Sequence, residues 1–153
     1  MTIFLIGQKQ RVNKMDDKFL SCNESGWCTV VLGDFSSRAS CLTDVPLDCI
    51  EAAIHAIEFH MPFCVRFDAE GWDFYVVSDV CNTYVIVEKN DTIFYSCGSV
   101  IGKDDIALQI YKDISEDFDK WVDFLVEDGT NLKDWLQHRL NDLKKCLDDN
   151  GIT

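Results

Sequence analysis

Basic side chains are in short supply here: 14 lysines and arginines stand against 27 aspartates and glutamates, a formal charge of −13 in 153 residues. A surface of that sign repels nucleic acid and anionic membrane and attracts basic surfaces, so direct nucleic-acid binding is not expected. Long apolar runs are missing too. Nothing approaches the ~20 consecutive apolar residues that cross a bilayer, and the short run in MTIFLIGQKQ lacks a basic lead, so no secretory signal is expected. A cytoplasmic location follows as the default expectation. The eight cysteines (22, 28, 41, 49, 64, 81, 97 and 146) contain no C-x-x-C pair and no Cys/His quartet at zinc spacing. In a reducing compartment such residues are chiefly small buried hydrophobes, so neither disulfides nor a metal is expected. Repeats, low-complexity tracts and linkers are absent, which leaves one domain over residues 1–153.

Catalytic signatures are missing as well. The sequence has no G-x-S-x-G elbow, dinucleotide fingerprint, P-loop or H-E-x-x-H pair, so no catalytic residue and no cofactor is assigned. Cys49 lies in the first turn of an expected helix, where the dipole lowers a thiol pKa. The histidine a thiol protease would need on a following strand is not there: His55 and His60 end the same helix and His138 lies on the last one. Packing is the simpler reading of Cys49. His55 and His60, five apart, do not share a helical face. Asp68 and Glu70, with Asp73 behind them, could form a carboxylate pair, yet Asp-x-x-Gly between two strands is also what a turn requires.

What is present is a sheet. Pro62–Cys97 reads as four short strands rich in Val, Ile, Phe and Tyr, broken at Asp68–Gly71, Ser78–Asn82 and Lys89–Asp91, the pattern of an antiparallel meander. Several of these strands are apolar on both sides, which calls for cover on two faces. A further strand is expected at Thr2–Ile6, and a hairpin from Phe19–Cys22 and Trp27–Leu32. Gly33–Asp44 reads as a polar loop into a helix capped by Thr43 or Asp44, with Pro46 in its first turn and a stop near His60 set by Pro62. Asp104–Val126 reads as a helix, with one alternative inside it: a strand at Ile106–Tyr111 followed by a helix that begins at Ser115 as its cap. Thr130–Asn150 is a last helix. The expected class is α+β: an antiparallel meander sheet of roughly five to seven strands, covered by one helix before the meander and one or two after it.

Acid is concentrated between Asp104 and Asp128, where nine carboxylates meet two lysines for a local −7. Phe124 falls off the apolar stripe of residues 118, 121, 122 and 125, which suggests an aromatic among the acids. An acidic surface with an aromatic anchor suits a basic protein partner, charge speeding encounter and the anchor holding the complex. A plain solvated helix face is the competing reading. The leading expectation is a small protein-binding inhibitor of immunity type. It would occlude a basic toxin or nuclease with Asp113, Glu116, Asp117, Asp119 and Asp123, and anchor on Trp121 or Phe124. The alternatives are an enzyme using Cys49 or the Asp68–Glu70 region, and a DNA-mimic nuclease inhibitor.

Overall fold

The computed structural model describes residue 15, residues 17–124 and residues 132–153. The expected strand at Thr2–Ile6 and residues 130 and 131, where the last helix was expected to begin, lie outside the described residues, as do Glu127 and Asp128 of the acidic segment. Among the described residues, seven strands and four helices follow one another as β1 (Leu20–Glu24), β2 (Trp27–Leu32), β3 (Phe35–Ser40), α1 (Val45–Glu58), β4 (Phe63–Asp68), β5 (Asp73–Ser78), β6 (Thr83–Lys89), β7 (Thr92–Ser99), α2 (Lys103–Glu116), α3 (Phe118–Val122) and α4 (Leu132–Asp149). The class is α+β. The strands divide into two antiparallel sheets, β1-β2-β3 and β4-β5-β6-β7, in place of the single expected sheet. The division follows from α1, which carries the chain away between β3 and β4.

Local chemistry sets the turns. Asn90 and Asp91 both hold positive φ, +51° and +59°, as a two-residue hairpin loop of the I′ kind demands. Asp68 accepts the Glu70 amide at 2.8 Å, and Glu70 itself sits at φ +54°, so this motif is a turn. The stretch read as a loop at Gly33–Asp44 contains β3. Its sequence FSSRAS has little apolar alternation, and the strand exists because it pairs with β2 from Trp27↔Ser40 to Leu32↔Phe35 and buries Ala39 and Ser40.

Asp44 caps α1 through the Leu47 amide, with Pro46 in the first turn. The helix ends at Glu58, and His60 follows in the left-handed region at φ +52°. Lys103 is buried and donates from Nζ to the carbonyls of Ala56 (2.6 Å) and Met61 (3.2 Å), satisfying acceptors at that helix end and tying α2 to α1. Arg139 of α4 holds Glu51 of α1, one contact being Nη2 to Oε2 at 2.7 Å.

The acidic helix is broken. Residues 106–111 are helical, which rules out the strand alternative, and Ser115 lies inside α2, so it caps nothing. Asp117 interrupts the run, and α3 is a five-residue turn that restarts the apolar register. One core joins both sheets and all four helices. Phe63, Val65, Phe67, Phe74, Val76, Val85 and Val87 point into it from the larger sheet, and Phe67 stacks on Phe74 at 5.0 Å. Full burial of a side chain of this size contributes about 1.5–3 kcal/mol.

Candidate functional site

The seven residues expected to bind a partner do not form one surface. Trp121 and Phe124 are fully buried, with ring centroids 5.5 Å apart. The break at Asp117 accounts for this: the stripe restarts in α3, and Phe124 lies just past the cap Asp123, where its carbonyl accepts the Gly26 amide of the β1–β2 turn. Neither ring is available as an anchor. Asp113 is buried as well. It shares the inner face of α2 with Ile106, Ile110 and Ile114, and one carboxylate oxygen accepts the backbone amides of Phe19 and Leu20, each at 2.8 Å. The other oxygen accepts from Gln109. Burial pushes the Asp113 carboxyl above its ordinary range, against the opposing pull of these bonds. Its role is to hold the start of β1.

Glu116, Asp119 and Asp123 are exposed and Asp117 is half-buried. Lysines meet three of these four. Lys18 reaches Asp117 at 2.6 Å and Glu116 at 3.3 Å, Lys120 reaches Asp117 at 3.1 Å, and Lys133 lies 3.8 Å from Asp119. Hydrogen bonds from Lys18 and Lys120 hold the Asp117 carboxyl below the usual range. The segment is a partly neutralised ridge, weaker in field than its composition suggests.

The candidate nucleophile Cys49 is fully buried, and desolvation drives its thiol well above the ordinary value, as it drives Cys28 up to about 12. His55 lies on the surface of α1 against Phe59. No group of three or more His, Cys, Asp or Glu among the described residues is placed to hold a metal ion. No helix among them is long and apolar enough to cross a membrane.

A different surface emerges from the strand register. The pleat sends alternate residues of β4–β7 to opposite faces. One face enters the core. On the other, three rows run across the four strands. The first is Asp68, Asp73, Glu88 and Ile93. The second is Arg66, Tyr75, Ile86 and Tyr95. The third is Cys64, Val77, Tyr84 and Gly98. The dual apolar character of these strands called for cover on both faces, yet among the described residues no helix or strand packs on this one. Cys64, Arg66, Ile93 and Tyr95 are exposed, the last two by 68% and 61%, and Tyr75, Val77, Tyr84 and Ile86 are half-buried. Gly98 leaves room for two tyrosines: a Cβ there would lie 3.4 Å from the Tyr84 ring and close on the Tyr95 hydroxyl. Those rings sit 6.3 Å apart.

The first row sets three acidic residues in register on adjacent strands, whose backbones run roughly 4.8 Å apart. Arg66 answers two of them, Asp73 at 3.0 Å and Asp68 at 3.8 Å. Glu88 accepts from the Tyr75 hydroxyl at 2.9 Å, which raises the tyrosine pKa. Like charges facing each other across a ladder cost stability, about 0.2–1 kcal/mol a pair, which Arg66 offsets in part for Asp68 and Asp73. Tyrosine and arginine, residue types that protein interfaces favour, stand together here with the carboxylates along one side.

Comparison with known proteins supplies no further guide: no family model, no curated protein and no solved structure matches this chain.

Proposed function

We propose that the protein is a binding inhibitor of immunity type that occludes a basic protein, a toxin or nuclease domain, through the open face of its four-stranded sheet. The observation that carries this reading is the row Asp68, Asp73 and Glu88 beside Tyr75, Tyr84 and Tyr95. Like charges that a single arginine answers in part, on an accessible tyrosine face, are stabilised further when a partner brings lysine or arginine to them. The chain's net charge of −13 steers such a partner from a distance. Arg66 orders the row and is itself a flat, stacking side chain of the kind that carries binding energy. The exposed acids of the ridge, Glu116, Asp119 and Asp123, contribute to the long-range field.

The test is capture from lysate of the source cell on the immobilised protein, with low-salt and then high-salt washes and identification of what is held. A basic protein retained stoichiometrically at low salt and released or weakened at high salt is the expected result. No stoichiometric retention of a basic protein at low salt would overturn the reading.

A further inference from the structure

In the smaller sheet the strand register sets two cysteines face to face. Leu20 pairs with Val30, Ser21 with Thr29 and Cys22 with Cys28 across β1 and β2, and among the described residues no other ladder position opposes cysteine to cysteine. The hydrogen bonds fix what kind of position this is. The Val31 amide donates to the Phe19 carbonyl at 2.9 Å, so Phe19 and Val31 form a hydrogen-bonded pair, and the type alternates along the ladder from there. Cys22 and Cys28 therefore fall on a non-hydrogen-bonded position, where Cα atoms stand about 4.5 Å apart and side chains come closest. Disulfides take Cα separations of about 4.4–6.8 Å, so the bond fits within the ladder as it stands. Both side chains lie on the buried face of the hairpin.

We infer that Cys22 and Cys28 are the site of a reversible disulfide, formed with hydrogen peroxide as the oxidant. Cys22 reacts first. Its Sγ lies 3.4 Å from the Lys120 carbonyl, beneath α3, a five-residue helix tied to the β1–β2 turn by Ser25 and Gly26. So short a helix opens more readily than a sheet, which gives a small oxidant its path. Burial raises both thiols, Cys28 up to about 12, but at Cys22 the Lys120 ammonium pulls the other way. The Cys22 thiolate attacks one peroxide oxygen, the O–O bond breaks, and the hydroxide released takes the Cys22 proton away as water, leaving a sulfenic acid. The Cys28 sulfur then attacks the Cys22 sulfur. The S–S bond forms, the S–O bond breaks, and the Cys28 proton leaves with the hydroxyl as a second water. The two thiols lose two electrons and the peroxide gains them, with no net charge left in the core. Cys49 of α1 also lies near Cys28, but no ladder holds it opposite. Closing the bond withdraws the Cys22 thiol from the Lys120 carbonyl and fastens the hairpin whose turn carries α3.

This inference does not depend on the partner reading, and its test uses purified full-length protein alone. The folded chain is treated with hydrogen peroxide at neutral pH, remaining thiols are alkylated, and tryptic peptides are weighed. The peptide Phe19–Arg38 carries Cys22 and Cys28 and no third cysteine. It is expected to lose two hydrogens, to resist alkylation, and to recover both thiols in dithiothreitol. Cys49→Ala should leave the yield of this form within about twofold, whereas Cys28→Ala should abolish it and leave at Cys22 a sulfenic acid that dimedone traps. The result on the parent chain stands without either variant. A Phe19–Arg38 peptide that keeps both thiols in the folded protein overturns the inference and leaves the pair as packing residues. A link that forms only once urea has unfolded the chain, or one that joins Cys28 to Cys49, overturns it as well.

Discussion

Gly102→Ala is expected to lower the unfolding free energy by about 3 kcal/mol, a fall in Tm of roughly 6–12 °C for a chain of this size. The backbone at Gly102, φ −84° and ψ 169°, suits any residue, so the cost is steric. A Cβ there would lie 3.0 Å from the Val80 carbonyl carbon and far closer to its oxygen. That carbonyl cannot retreat. It belongs to the turn between β5 and β6, where Asp79 accepts the amides of Cys81 (2.8 Å) and Asn82 (2.7 Å) on Oδ1 and the Lys103 amide on its backbone oxygen (2.8 Å). Thr83 adds a 2.6 Å hydrogen bond to the Ile101 carbonyl. The turn and the start of α2 are therefore one rigid unit. Gly33→Asn is the control: its φ of +56° suits asparagine and nothing lies within 4 Å, so less than about 1 kcal/mol should be lost. Thermal melts of the two variants decide it, and a Gly102→Ala protein melting with the parent would refute the close approach.

Asp113 gives the second large effect, and its sign depends on the substitution. Asp113→Ala leaves the buried amides of Phe19 and Leu20 without an acceptor and should cost about 2–4 kcal/mol. Asp113→Asn retains one oxygen for both amides, and Gln109 can turn its own carbonyl toward the new amide, so the change should stay within about 1 kcal/mol. The two variants differ in pH response from the parent. Burial raises the folded-state pKa of Asp113 above the ordinary 3.8, so the folded chain holds this proton more tightly than the unfolded chain. Its contribution is fully present below 3.8 and is lost as pH rises through the raised folded value. Asp113→Asn should accordingly gain on the parent as pH rises across that window and then hold a constant offset. Urea unfolding of both proteins from acid to neutral pH measures this. An offset that is flat or falls with pH would contradict the assignment. Asp117, held low by its lysines, works the other way in both proteins and cancels in the difference.

Both residues show what could and could not be read from the chain. The hairpins of the larger sheet and the extent of α1 were legible because Val, Ile and Tyr runs, turn residues and a capped, proline-started helix all agree. β3 was not, since Ser36, Ser37 and Arg38 carry no strand pattern of their own and become a strand by pairing. The acidic segment misled for a related reason. A run of carboxylates reads as one solvated face, yet Asp113 keeps helical step with Ile106 and Ile110, and that spacing was the available signal that it points inward. The break at Asp117 was legible only as an alternative, a helix start at Ser115, because the apolar stripe continues through it in sequence. The open face was half legible. Its tyrosines and its two-sided apolarity were visible, but the sequence does not say which of two apolar faces the helices take. Nor does it reveal that Asp68, Asp73 and Glu88 line up, which is a property of register.

The central claim is that this row and its tyrosines, and not the ridge, contact the basic partner. It is tested by capture with two triple variants of equal charge. Asp68→Asn, Asp73→Asn and Glu88→Gln alter the row; Glu116→Gln, Asp119→Asn and Asp123→Asn alter the ridge. Each removes three negative charges from −13, so any difference in retention reports position and not net charge. The account predicts that the row variant loses at least about tenfold in retained partner while the ridge variant stays within about twofold of the parent. Loss by the ridge variant with full retention by the row variant would contradict it.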